Sequence, residues 1–236
     1  MSSVPVRRLG IMVPSSNTVM ETDFWRGVGG VATLHTARMY MEDTTPEGEA
    51  RMLDEFALPA ARDVGTAKPD VVVFGCTSAG ALRGNDYDAE LCRRISDVTG
   101  APTVSTIQAV RHAVLAAGSE RVAVITPYID ELNVRIRASL EADGVEVATI
   151  AGLGITDNFH IAMLSQEAII EHAVRTVEGH AVDLLFASCT NMPAFAARSA
   201  LVDRLGIPVV TSNQAVLEAA LERLGAMDAG AMGTSR

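Results

Sequence analysis

Arg8-Leu-Gly-Ile-Met-Val-Pro14 returns 113 residues later as Arg121-Val-Ala-Val-Ile-Thr-Pro127. Each copy is an apolar run closed by a proline, the pattern of a buried strand that ends in a turn. The same offset carries Cys76 onto Cys189, in Phe74-Gly-Cys-Thr-Ser78 and Phe186-Ala-Ser-Cys-Thr-Asn191, each at the exit from an apolar run. Further on, Pro102-Thr-Val-Ser-Thr-Ile-Gln-Ala-Val110 matches Pro208-Val-Val-Thr-Ser-Asn-Gln-Ala-Val216 at an offset of 106. The chain therefore reads as two α/β halves related by a pseudo-twofold, residues 1–120 and 121–224. A Gly-, Ala- and Met-rich stretch over 225–236 reads as a loose tail.

Working outward, seven short runs have strand character: Leu9 to Val13, Val71 to Phe74, Thr103 to Ser105, Val122 to Ile125, Val145 to Ile150, Leu184 to Phe186 and Val209 to Thr211. They alternate with helical spacing over Glu47 to Val64, Asp86 to Val98, Gln108 to Ala117, Asp130 to Asp143, Gln166 to Glu178 and Gln214 to Arg223. Gly100, Gly118 and Gly144 stand where helix ends are expected, and Thr45-Pro46 reads as an N-cap and first helical residue. Pro59 is expected to kink or end its helix early. The alternation predicts an α/β chain with two mainly parallel sheets of about four strands, flanked by helices, and a site in the cleft between them.

The 236 residues carry 19 basic and 29 acidic side chains, a formal net charge of −10, which argues against nucleic acid and anionic membranes as partners. Hydrophobic residues make up 48% and charged residues 20%, enough for a large core. The first residues lack the apolar stretch of a signal peptide, so a cytoplasmic location is expected. Three cysteines form neither a disulfide framework nor a zinc pattern, and the five histidines show no metal-binding spacing, so no metal is expected. Gly27-Val-Gly-Gly30 precedes a strand instead of opening a helix after one, which fails the nucleotide-binding context, and there is no Gly-x-Ser-x-Gly elbow.

Two thiols at equivalent strand ends can face one small molecule. That arrangement permits proton transfer on opposite faces of an acidic carbon, or thiolate addition from one side with proton handling from the other, and neither needs a cofactor. A cysteine after a strand is more often a small buried hydrophobe, and only the symmetric placement lifts Cys76 and Cys189 above that reading. Cys92, with Leu91, Ile95 and Val98 in a helical pattern, reads as core. Around the thiols, Pro14-Ser-Ser-Asn17 offers small polar donors suited to a carboxylate, and Thr77-Ser78 and Thr190-Asn191 are donor-rich turns able to lower a thiol pKa. Tyr128 reads equally as core or as a phenol in the cleft, and Asn158 in Gly154-Ile-Thr-Asp-Asn158 equally as loop or as ligand.

These segments, together with Ser188-Cys-Thr-Asn-Met-Pro193, resemble the aspartate/glutamate racemase superfamily, with maleate cis-trans isomerases as the most similar branch, over about Arg8 to Leu224. The resemblance implies Cys76 as nucleophile and Cys189 as its acid/base partner. It also implies Asn17, Tyr128 and Asn158 as holders of the substrate carboxylates, with Ser16, Thr77, Ser78 and Thr190 completing the site, no cofactor, a small dicarboxylate substrate and a homo-oligomer. Thr77-Ser78, Thr45-Pro-Glu-Gly48 and Tyr128-Ile-Asp-Glu-Leu-Asn133 look instead like arylmalonate decarboxylases, which lack the first-half cysteine. A decarboxylase, an amino-acid or hydantoin racemase and a non-catalytic carboxylate binder stay open. Neutral donors are expected to hold the carboxylates, the alternative being an arginine clamp such as Arg83 or Arg111.

Overall fold

Parallel strands form two sheets of four in the computed structural model, which describes residues 6–233 and side chains as far as Gly225. The first half runs β1 (Arg7–Pro14), α1 (Met20–Gly27), β2 (Ala32–Met39), α2 (Pro46–Arg51), α3 (Ala57–Gly65), β3 (Val71–Phe74), α4 (Thr77–Leu82), α5 (Asn85–Thr99), β4 (Thr103–Ser105) and α6 (Thr106–Ala116). The second runs β5 (Arg121–Thr126), α7 (Asp130–Glu141), β6 (Glu146–Gly152), α8 (Asn158–Ala162), α9 (Gln166–Val177), β7 (Leu184–Ala187), α10 (Ala194–Leu205), β8 (Val209–Thr211) and α11 (Ser212–Gly233). The strand orders, β2-β1-β3-β4 and β6-β5-β7-β8, are the same, as the sequence repeat predicts. Helices flank both sheets. The central strands β3 and β7 are buried along their whole length, which is why they read as unbroken apolar runs.

Each expected strand and helical run lies on an element; α1, β2, α4, α8 and α10 are additions, and two of them have physical reasons. β2 is an edge strand, pairing with β1 on one side only. Its Thr33, His35, Thr36 and Arg38 break any apolar run. α4 is built from small residues and buried on every side, so it shows no polar face. Pro59 does not end its helix. A π-helical turn over Met52–Phe56 joins α2 to α3, with the Ala57 N–H bonding the Met52 carbonyl. The wider turn takes up the clash that a proline ring makes with the carbonyl four residues before it.

The two halves are interlocked by their last helices. Val216, Leu217, Ala220 and Leu224 of α11 pack on Leu9, Ile11, Val13, Val71 and Val73 of the first sheet. Ile107, Val110 and Val114 of α6 join the core that carries β5, β7 and β8. Residues 121–224 therefore do not form a separate layer: α11 follows β8 in sequence yet covers the first sheet. Its backbone stays helical to Gly233, through most of the stretch expected to be a loose tail, and residues 234–236 lie outside the described residues. No helix among the described residues is long and apolar enough to cross a membrane.

Candidate active site

β3 and β7 hold equivalent positions in their two sheets, and the chain leaves each through a cysteine. Cys76 is the N-cap of α4, with an extended backbone. Cys189 holds φ +146°, a conformation rarely adopted by non-glycine residues. It is held there by its N–H bond to Ser212 Oγ (3.1 Å) and by the Asn191 N–H on its sulfur (3.3 Å).

Both thiols line one narrow cavity of about 10 Å³, and with them stand Asn17, Ser78, Tyr128, Asn158 and Thr190. Seven of the nine residues expected from the sequence are thus brought together. Ser16 and Thr77 stand one layer behind. Ser16 Oγ accepts from Asn158 Nδ2 (2.9 Å) and donates to the Met41 carbonyl, and Thr77 Oγ1 donates to Ser212 Oγ (2.9 Å). Their bonds orient lining residues. Cys92 packs in the core away from the cavity.

The two cysteine turns are tied to each other across the halves. Ser212 Oγ accepts from Thr77 Oγ1 on one side and from the Cys189 N–H on the other. Thr190 Oγ1 donates to the Gly75 carbonyl and accepts from Asn17 Nδ2 (3.0 Å). Asn17 Oδ1 accepts from the Val19 and Met20 N–H groups, and Asn191 links Thr18 N–H to the Asn158 carbonyl. The asparagine amides are therefore fixed before any ligand arrives. Asn17 and Asn158 each retain one amide N–H for a ligand.

Burial pushes both thiols up, but not equally. Cys76 is raised well above the ordinary thiol value by desolvation and then by the Glu49 carboxyl; the Ala79 N–H and Ser78 act in the opposite direction. Cys189 is raised by desolvation, against which the Tyr128 hydroxyl and the Asn191 and Met192 N–H groups act together. A thiolate on Cys189 thus has three donors. Tyr128 is 1% exposed, its own pKa raised by burial and by the neighbouring cysteines, so it stays a donor through neutral pH.

The sequence reading missed Glu49, on α2. Its carboxyl is fully buried at the cavity wall, where desolvation raises its pKa to about 8 despite the bond donated by Ser78. A carboxyl on the buried stripe formed with Met52, Leu53 and Ala57 was the available signal. Thr44, Met41, Asn191 and Pro14 also line the cavity. The arginine clamp is not formed: Arg83 pairs with Asp54 and Arg111 with Asp143, around a separate cavity, and no Lys, Arg or His lines the cysteine cavity among the described residues. The described residues contain no cluster of three metal-ligating side chains.

Residues 9–236 match the family model described as arylmalonate decarboxylase. A maleate isomerase of Geobacillus stearothermophilus is 27% identical, the match covering 92% of this chain and 91% of that one. The arylmalonate decarboxylase of Bordetella bronchiseptica is 28% identical over 88% of this chain and 86% of its own. Among solved structures, a Nocardia farcinica maleate cis-trans isomerase mutant carrying a covalently bound succinylcysteine intermediate superposes with a TM-score of 0.86. It is 26% identical, with 93% of each chain covered.

Proposed function

The chain belongs to the arylmalonate decarboxylase family, and from that membership we propose that it isomerises maleate, or a related cis-butenedioate, to the trans isomer through a covalent adduct on Cys76. The observation that carries the reading is the pair of thiols from equivalent strand ends on one small cavity lined by neutral donors. A decarboxylase needs only the second of them.

The donor sets suggest a division of labour. The reaction starts from the state with one negative charge on Cys189; burial raises that thiol, and Tyr128, Asn191 and Met192 act against the rise by stabilising the thiolate. As the Cys76 sulfur attacks one alkene carbon, its proton passes to Cys189, the new S–C bond forms, and the π electrons move onto the neighbouring carbon and its carboxylate. The remaining amide N–H groups of Asn17 and Asn158 are suited to that developing charge. Cys189 then gives the proton to the carbanion, leaving a succinyl group on Cys76 and a thiolate on Cys189. The former double bond is now single and rotates. Cys189 takes the proton back from carbon, the S–C bond breaks with its electrons going to the Cys76 sulfur, Cys189 returns the proton to that sulfur, and the trans alkene departs. Atoms and charge return to the starting state, so no cofactor is consumed. The same reading carries a cytoplasmic enzyme that works as a homo-oligomer.

A Cys189→Ser variant incubated with maleate, quenched and mapped by mass spectrometry tests the mechanism. The Cys76 peptide is expected to gain the mass of one maleic acid, and Cys76→Ala in the same background to gain none. The Thr77-Ser78 turn and the Bordetella relative favour a second reading, decarboxylation of an arylmalonate with Cys189 as proton donor. Release of CO₂ from phenylmalonate with no adduct from maleate would select it.

A further inference from the structure

We propose that Glu49 is a substrate-recognition residue acting as a neutral carboxylic acid, with Oε1 accepting from Ser78 and an Oε2 hydroxyl donating to one carboxylate of a bound cis-dicarboxylate. The inference rests on the dicarboxylate reading above and adds the group that selects for it. Glu49 Oε2 and Thr44 Oγ1 are both buried without a hydrogen-bond partner, and both belong to residues that line the cysteine cavity. Such atoms carry a desolvation cost unless a ligand meets them. Both come from the β2–α2 segment, whereas Asn17 and Asn158 are anchored to Thr190 and Ser16. The two sets give a dicarboxylate a donor pair for each of its ends.

The protonation state follows from what faces the group. Cys76 approaches from the β3–α4 turn, Cys189 from the β7–α10 turn and Tyr128 from the β5–α7 turn, and each of the three is affected by the charge on Glu49. α4 brings no titratable side chain, and Glu47 and Arg51 of α2 are exposed to solvent. With no cation on the wall, an ionised Glu49 would repel both the incoming dianion and a thiolate on either cysteine. A neutral one repels neither and gains a donor. Burial holding the carboxyl at about 8 supports this, and a dianion beside it pushes it further up. A carboxylic acid kept neutral to donate a hydrogen bond is an established way to use an apolar site.

Calorimetric titration of maleate into the full chain carrying Cys76→Ser, which cannot form the adduct, tests the inference across pH about 6 to 9, a range that brackets the shifted carboxyl. Affinity is expected to fall about tenfold per pH unit above about 8, with close to one proton taken up per maleate at the alkaline end. Adding Glu49→Gln, which keeps an N–H donor, is expected to weaken binding by less than about tenfold at neutral pH and to remove both the pH dependence and the proton uptake. An unchanged alkaline fall in Glu49→Gln would overturn the role of Glu49. So would loss of maleate binding in Glu49→Gln alongside aspartate binding to the parent, because an ionised Glu49 would then be receiving an ammonium group. A parent that binds no maleate at any pH overturns this inference and the isomerase reading together. One that binds maleate as described, while the unmutated chain forms no fumarate, overturns only the isomerase reading.

Discussion

Cys76 and Cys189 occupy matched positions yet have unlike surroundings, one beside a carboxyl and the other under three donors. Loss of either thiol should therefore stop the reaction for a different reason. On the proposed mechanism Cys76→Ala removes the bond-forming atom and Cys189→Ala the proton carrier; each is expected to lower kcat by roughly a hundredfold or more, whereas Cys92→Ala leaves it within about twofold. Steady-state rates on maleate check this, and a decarboxylase would tolerate the loss of Cys76. Asn17 serves structure and binding together. Its Oδ1 serves the Val19 and Met20 N–H groups and its Nδ2 serves Thr190, so Asn17→Asp keeps the acceptor while placing a charge beside the substrate. The expected outcome is a Tm lowered by the buried charge and the lost Thr190 bond, with KM for maleate raised well beyond that of Asn17→Ala. Glu49 also links the site to stability. Its carboxyl titrates near 4.5 when unfolded and near 8 when folded, so between those values the native chain holds a proton that the unfolded chain has released. Stability then falls as pH rises through that window and levels off above it, a loss on the order of 3 kcal/mol by pH 7. Denaturant unfolding of Glu49→Gln should show an advantage over wild type at pH 8 that closes toward pH 4.5.

The elements were legible in proportion to their burial pattern. β3 and β7 are wholly apolar because both their faces are covered, and the repeat of their exits is enough to single out Cys76 and Cys189 from the sequence. β2 lies at an edge with a mixed surface, and α4 has no polar face, so neither carries a strong periodic signal. Ser16 and Thr77 carried the right chemistry but face other turns, a distinction of side-chain direction that residue type does not encode. Glu49 was hidden because its helix reads as amphipathic, and a single carboxyl on the apolar stripe is a small departure from that pattern. Element contacts also set the reach of the site. A Cβ at Gly152, the end of β6, would lie 2.2 Å from the Tyr128 carbonyl oxygen and 2.5 Å from Asn133 Nδ2. Gly152→Ala must push the Tyr128 turn away, costing roughly 1–3 kcal/mol and lowering kcat through the displaced phenol. Thermal unfolding and kcat measured together check it, and an unchanged kcat would mean that Tyr128 does not serve Cys189.

At the scale of the whole molecule, α6 and α11 bind each half to the other, and the site exists only where the halves meet. Thr190 reaches the Gly75 carbonyl and Ser212 reaches Thr77, so the cysteine turns share hydrogen bonds rather than merely facing each other. The repeat was readable as two copies of one unit. The crossing of α11 onto the first sheet was not, because its apolar stripe fits either sheet equally well on sequence alone. In the proposed reaction catalysis belongs to the joined pair: two thiols, one from each half, acting on a single dicarboxylate. Proton NMR of the purified chain with maleate measures that claim most directly. Conversion of the maleate signal into that of fumarate, abolished in Cys76→Ala and in Cys189→Ala alike, is the predicted result. Unchanged maleate alongside CO₂ release from phenylmalonate that survives Cys76→Ala would contradict it.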